Sequence, residues 1–166
     1  MDGLLIVDDE EGVRRALQKA LSRDNYQIFQ AVNGNDAVEI VKQHPGDIAI
    51  AISDFKMPGL DGLQTLAMIG SINPDITRIM LTGYATLESA IAATNEGIDG
   101  FLTKPFDNVE LRAKVREYFV RKRLKQFVSA PVMQQLQNDP SYLASRKQRA
   151  TVLFVDVRVL RNPTLY

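Results

Sequence analysis

The chain has 166 residues, 45% hydrophobic and 24% charged, the make-up of a globular protein with room for one well-cored domain and part of another. With no cysteine and a single histidine, it excludes disulfide frameworks, thiolate catalysis and cysteine-based zinc sites. Its net charge of zero hides a split: residues 1–117 hold 18 acidic against 11 basic side chains, while residues 118–166 hold 2 against 9. No apolar run approaches the roughly 18 to 20 residues of a membrane span, and no charged-then-apolar leader opens the chain, so a cytoplasmic location and no membrane partner are expected.

In chain order, "LLIV" (4–7) reads as a short buried strand that runs directly into four acidic residues, Asp8 to Glu11. Val13, Leu17 and Leu21 then recur at helical spacing, with Glu10 and Glu11 as acidic charges favoured by the helix N-terminus. "YQIFQAV" (26–32) is a second strand, and Ala37, Ile40 and Val41 mark a second helix. His44, beside Pro45 at that helix's end, reads as a cap or surface residue rather than a ligand. "DIAIAIS" (47–53) is a third strand, followed by "PGLDG", where Asp61 reads as a turn and helix cap. Leu63, Leu66 and Ile69 mark a third helix, "RIMLTG" (78–83) a fourth strand, Leu87, Ile91 and Thr94 a fourth helix, "GFLTKP" (100–105) a fifth strand, and Leu111, Val115 and Phe119 a fifth helix.

Five strands, each followed by a helix, predict an α/β fold: a doubly wound, five-stranded parallel sheet covered on both faces. Ligands in such a sheet gather at the carboxyl ends of the strands, near the point where strand order reverses. Asp8 and Asp9 stand there after the first strand, Asp54 after the third, Thr82 at the end of the fourth and Lys104 at the end of the fifth. Three convergent carboxylates repel one another unless a cation compensates them, and Mg²⁺, a hard cation that keeps several waters and a phosphate oxygen, answers that need. A carboxylate can also attack phosphorus, and Asp54 is the best placed to do so, with Lys104 and the Thr82 hydroxyl meeting the phosphoryl oxygens.

"IVDDEEG", "ISDFKMPGLDGL", "IMLTGY" and "FLTKPF" resemble the four signature segments of the response-regulator receiver family, over about residues 3–120. The resemblance implies a flavodoxin-like (βα)5 receiver. It implies that Asp54 accepts a phosphoryl group from a sensor histidine kinase or phosphotransfer protein. It also implies that Asp8, Asp9, Asp54 and the backbone carbonyl of Lys56 hold Mg²⁺. Thr82 and Lys104 would contact the phosphoryl group, Phe101 would be the switch aromatic, and Lys104–Pro105 would be a cis peptide. Lys56 and Tyr84, each two positions beyond a site residue, are placed to line the crevice mouth and hinder attacking water.

The segment 111–127, "LRAKVREYFVRKRLKQF", extends the fifth helix beyond what a receiver needs. Its Leu111, Val115, Tyr118, Phe119 and Leu124 form an apolar stripe that can pair with a twin, so a homodimer through the fourth helix, fifth strand and fifth helix is expected, with a solvated linker helix as the alternative. A short helix is expected near 131–137 and a turn at 138–141. "RKRLK" (121–125) and "RKQR" (146–149) could attract phosphate backbones, but the tail has no helix-turn-helix pattern, so nucleic acid is not the expected partner. Residues 126–158 resemble the opening segment and first strand of bacterial class III nucleotide cyclases, and in that family the Asp of Phe154-Val155-Asp156 would bind a metal. The other residues a cyclase requires would lie past Tyr166, so the chain is not expected to be a working cyclase, and Asp156 is expected to hold no metal here.

The resulting organisation is a receiver over 1–120, a helical linker over 121–149 and the stub of an output domain over 150–166. The expected function is a phosphorylation switch driving an output, a nucleotide cyclase in the first reading. A stand-alone receiver acting through protein binding is the alternative, and a DNA-binding regulator the lesser one. Beyond its own phosphoryl transfer and autodephosphorylation, the chain is not expected to be a complete enzyme.

Overall fold

A computed structural model of the chain describes residues 2–83 and 95–127, all within one unit spanning 1–129. The strands are β1 (Gly3–Val7), β2 (Gln27–Ala31), β3 (Ile48–Asp54), β4 (Thr77–Thr82) and β5 (Gly100–Thr103). The described helices are α1 (Glu11–Leu21), α2 (Gly34–Gln43), α3 (Gly62–Ile72) and α4 (Asn108–Phe127), the last being the fifth helix of the sequence reading. The helix expected around Leu87, Ile91 and Thr94 falls outside the described residues, as do Tyr84, the 131–137 helix, "RKQR" and Asp156.

All strand pairs are parallel, in the order β2-β1-β3-β4-β5. The chain therefore winds outward in one direction from β1 and then in the other from β3, which puts the reversal between β1 and β3. Central strands of a two-faced sheet must be apolar on both sides, and β1 is buried along its whole length. On one face Leu4, Ile6, Ile50, Ile52, Ile79 and Leu81 pack against Leu17 and Leu21 of α1 and Leu111 and Val115 of α4. On the other, Leu5, Val7, Ala51 and Met80 pack against Ala37 and Val41 of α2 and Leu66 and Ile69 of α3.

The helix starts follow local chemistry. Asn33 caps α2 by accepting from the Asp36 N–H, and Asp61 caps α3 in a reciprocal pair with Gln64. His44 is the C-cap of α2, its ring 4.7 Å from that of Phe29. No described helix is long and apolar enough to cross a membrane.

The stripe expected to face a twin is spent mostly at home. Leu111 and Val115 are buried and Tyr118 and Phe119 pack against the same core, which leaves Val120 and Leu124 as the exposed apolar residues among the described side chains of the distal helix. Three of the four cations of 121–125 are also engaged within the chain: Arg121 with Glu117, Lys122 with Asp99, and Arg123 with Asp2.

Candidate functional site

The carboxyl ends of β1 and β3 deliver Asp8, Asp9 and Asp54 to one crevice, where one oxygen of each lies within 4.8 Å of the others. Asp8 is fully buried and Asp54 8% exposed, whereas Asp9 is exposed at the rim. Burial of like charges at this spacing requires compensation. Part of it is internal: the Asp8 carboxylate accepts the Glu10 N–H at 2.9 Å, and the Lys104 ammonium reaches Asp8 Oδ2 at 3.1 Å and Asp54 Oδ1 at 2.8 Å. Burial works against that ammonium, but its hydrogen bonds to Asp54 and Asp8 outweigh the cost and hold Lys104 above its ordinary pKa.

Backbone bonds fix the floor of the crevice. Phe55 N–H donates to the Leu81 carbonyl at 2.8 Å and Lys104 N–H to the Thr82 carbonyl at 2.8 Å, so β3, β4 and the residues after β5 are pinned beside one another. Thr82, 6% exposed, ends β4 on the same side. The fifth strand is shorter than expected: it closes at Thr103, and Pro105, with no N–H to give, follows Lys104 through a cis peptide. Gly62 opens α3 directly behind Asp54, where a Cβ would stand 2.1 Å from the Asp54 carbonyl oxygen, so only glycine lets the helix start so close to that backbone.

The flanking residues fall as follows. Asp61 is committed to capping α3 and Glu11 to Arg15, while Lys56 is exposed on the loop after β3. Phe101 is half-buried on β5 and packs against the core facing α2 and α3. The Tyr118 ring of α4 lies over Gly100, and its hydroxyl donates to the Phe101 carbonyl at 3.2 Å, a link that the sequence reading did not contain. It also missed Arg14, whose Nη1 donates to the carbonyls of Asp8 at 2.7 Å and Asp9 at 3.1 Å.

An all-oxygen donor set of three carboxylates suits a hard, oxygen-seeking divalent cation and offers nothing to a soft one. The chemical capacity of the crevice is thus cation binding beside a carboxylate, Asp54, that is paired with the Lys104 ammonium.

A family model described as the response regulator receiver domain matches residues 4–116. Sporulation initiation phosphotransferase F of Bacillus subtilis is 36% identical over 115 residues, 69% of this chain and 91% of that protein. Transcriptional regulatory protein GlrR of Escherichia coli is 35% identical over 104 residues, 63% of this chain but only 23% of that longer protein. A solved response regulator receiver domain protein from Clostridium thermocellum superposes with a TM-score of 0.69 at 30% identity, covering 75% of this chain and 98% of its own.

Proposed function

The chain belongs to the response regulator receiver domain family, phosphorylated on aspartate in two-component signalling, and from that premise we propose that Asp54 is the phosphoryl acceptor and that Asp8, Asp9, Asp54 and the Lys56 carbonyl hold Mg²⁺ beside it. The observation that carries this reading is the convergence of three carboxylates on one crevice with the Lys104 ammonium between Asp8 and Asp54.

The donor is a phosphohistidine of a sensor kinase or phosphotransfer protein. An Asp54 oxygen attacks phosphorus, the P–N bond breaks as the P–O bond forms, and the leaving imidazole keeps the electron pair and takes up a proton. Lys104, freed from the attacking oxygen, follows the charge onto a phosphoryl oxygen, and the Thr82 hydroxyl donates to another. Bound Mg²⁺ would neutralise charge on the phosphoryl oxygens. Thr82 and Phe101 then form the switch, because drawing Thr82 toward the phosphoryl group vacates space next to β5. The domain acts in the cytoplasm, where its kinase partner's catalytic part resides.

The test is direct. With Mg²⁺ and acetyl phosphate, intact-mass measurement is expected to show one added phosphoryl group, labile to base, and Asp54→Asn is expected to abolish it. Labelling of that variant at the native level would move the acceptor elsewhere.

For the output we infer a nucleotide cyclase from the resemblance of residues 126–158, with Asp156 as a metal ligand of the intact catalytic domain. The stand-alone receiver and a DNA-binding output are the competing readings. Reading the gene beyond codon 166 decides between them: a frame carrying a second metal-binding aspartate and purine-reading residues supports the cyclase, and any other continuation overturns it.

A further inference from the structure

We propose that Arg14 is a positioning residue for the metal site, holding the backbone that aims Asp9; the proposal rests on the proposed function above. Arg14 lies in the opening turns of α1, its N–H bonded to the Glu10 carbonyl at 3.1 Å. Side chains on a helix lean toward its N-terminus, and this one reaches back over the β1–α1 loop. There a single guanidinium nitrogen meets both the Asp8 carbonyl at 2.7 Å and the Asp9 carbonyl at 3.1 Å. A cation near a helix N-terminus opposes the helix dipole, so its placement needs a compensating interaction, and these two carbonyls supply it.

The two aspartates differ in what else holds them. The Asp8 carboxylate is buried and tied to the Glu10 N–H and to Lys104, so its direction is fixed from the side chain inward. Asp9 is exposed, and its carboxylate makes no hydrogen bond or ion pair among the described residues. Where the Asp9 carboxylate points is therefore set by its own backbone, and Arg14 is the side chain that grips that backbone. Remove the grip and Asp9 must be ordered again each time a cation binds. Arg14 touches neither the reacting atoms nor the carboxylates, so its effect falls on cation affinity and spares the transfer step.

Partners that orient metal ligands typically change affinity about 10- to 100-fold when removed, and a rim ligand held through its backbone is expected at the lower end, about tenfold. The experiment titrates MgCl₂ into the full chain and follows backbone amide shifts by NMR, comparing the native protein with Arg14→Met, Arg14→Lys and Asp9→Asn. Arg14→Met keeps the aliphatic stem and lacks the donor; it is expected to bind Mg²⁺ about tenfold more weakly. Arg14→Lys, which restores a charged donor, is expected to recover most of the loss. Asp54 labelling by acetyl phosphate is expected to need more Mg²⁺ in Arg14→Met while reaching the native maximal rate at saturation, a split that general loosening of the fold would not produce. Native affinity in Arg14→Met, or a lowered maximal rate with unchanged Mg²⁺ dependence, overturns the role of Arg14 alone. Equal affinity in the native protein and Asp9→Asn overturns the metal site and this role together.

Discussion

Lys104 stands between two carboxylates that a divalent cation would also claim. Replacing it with methionine leaves the buried Asp8 carboxylate with the Glu10 N–H as its remaining donor among those described, a loss expected to cost about 1–3 kcal/mol, moderated because Lys104 is itself partly exposed. Mg²⁺ should then stabilise Lys104→Met more than the native protein in urea denaturation; equal stabilisation would show that ammonium and metal do not compete. Because its pKa is raised, the Lys104 contribution is fully present below the unfolded value and is lost only as pH rises through the folded one, so it is intact at neutrality and fades in alkali. Asp24 behaves in the opposite sense. Its bidentate hydrogen bonds from Arg112, at 2.6 and 2.8 Å, hold the carboxyl below its ordinary pKa, against burial and with added attraction from the charges of Arg112 and Arg116. This contribution is present above the unfolded value of about 4 and is lost as pH falls through the folded one. The stability gap between the native protein and Asp24→Asn should therefore be wide at neutral pH and close in acid. At this scale the sequence exposed the residues at strand ends, since alternating strands and helices bring Asp8, Asp54, Thr82 and Lys104 to one edge whatever the packing. It did not expose Asp24–Arg112, whose partners are 88 positions apart, or Arg14, whose charge reads as an ordinary solvated helix face until the turn before it is built.

The elements were legible because their apolar runs are continuous. The five strands fall within a residue or two of the expected spans, with β3 reaching Asp54 itself and β5 ending sooner than "GFLTKP" suggested. Arg78 was not legible: at the start of β4 it looks like a strand-edge cation, yet it is 9% exposed and its Nε lacks a hydrogen-bond partner among the described residues. Its guanidinium fills a slot against α3, donating to the carbonyls of Leu66 at 3.3 Å and Glu96 at 3.1 Å. The slot exists because residue 70 is glycine; a Cβ there would stand 1.9 Å from Arg78 Nη1. Glycine to alanine inside a helix ordinarily gains about 0.5–1 kcal/mol. Gly70→Ala is expected to reverse that sign and lose about 1–3 kcal/mol, because the guanidinium is pushed off its carbonyls. A double-mutant cycle with Arg78→Met checks it: the pair should cost less than the sum of the single changes, and strict additivity would place the clash elsewhere.

At the scale of the whole molecule, Asp99 and Lys122 join the start of β5 to the distal part of α4, with the Lys122 ammonium 2.9 Å from Asp99 and 2.8 Å from the Ile76 carbonyl. Beyond this tie Val120 and Leu124 face outward, about half exposed. If the proposed switch moves Phe101, whose carbonyl accepts from Tyr118 of this helix, a change at Val120 and Leu124 would be felt by a second copy docking there. Adding beryllofluoride and Mg²⁺ to the full chain should change the dimerisation free energy by about 1–3 kcal/mol in sedimentation equilibrium, with Leu124→Glu reducing the association. An unchanged association constant would send the signal out by another surface. The contact of Tyr118 with the β5 backbone has an optical consequence. The chain has no tryptophan and five tyrosines, and the Tyr118 phenol is bonded to the carbonyl of Phe101, the proposed switch residue. A shift of that strand alters the phenol's hydrogen bond and hence its near-ultraviolet absorption. Tyr118 is thus a chromophore bonded to the proposed switch residue, and activation should be readable as a tyrosine difference spectrum that Tyr118→Phe erases.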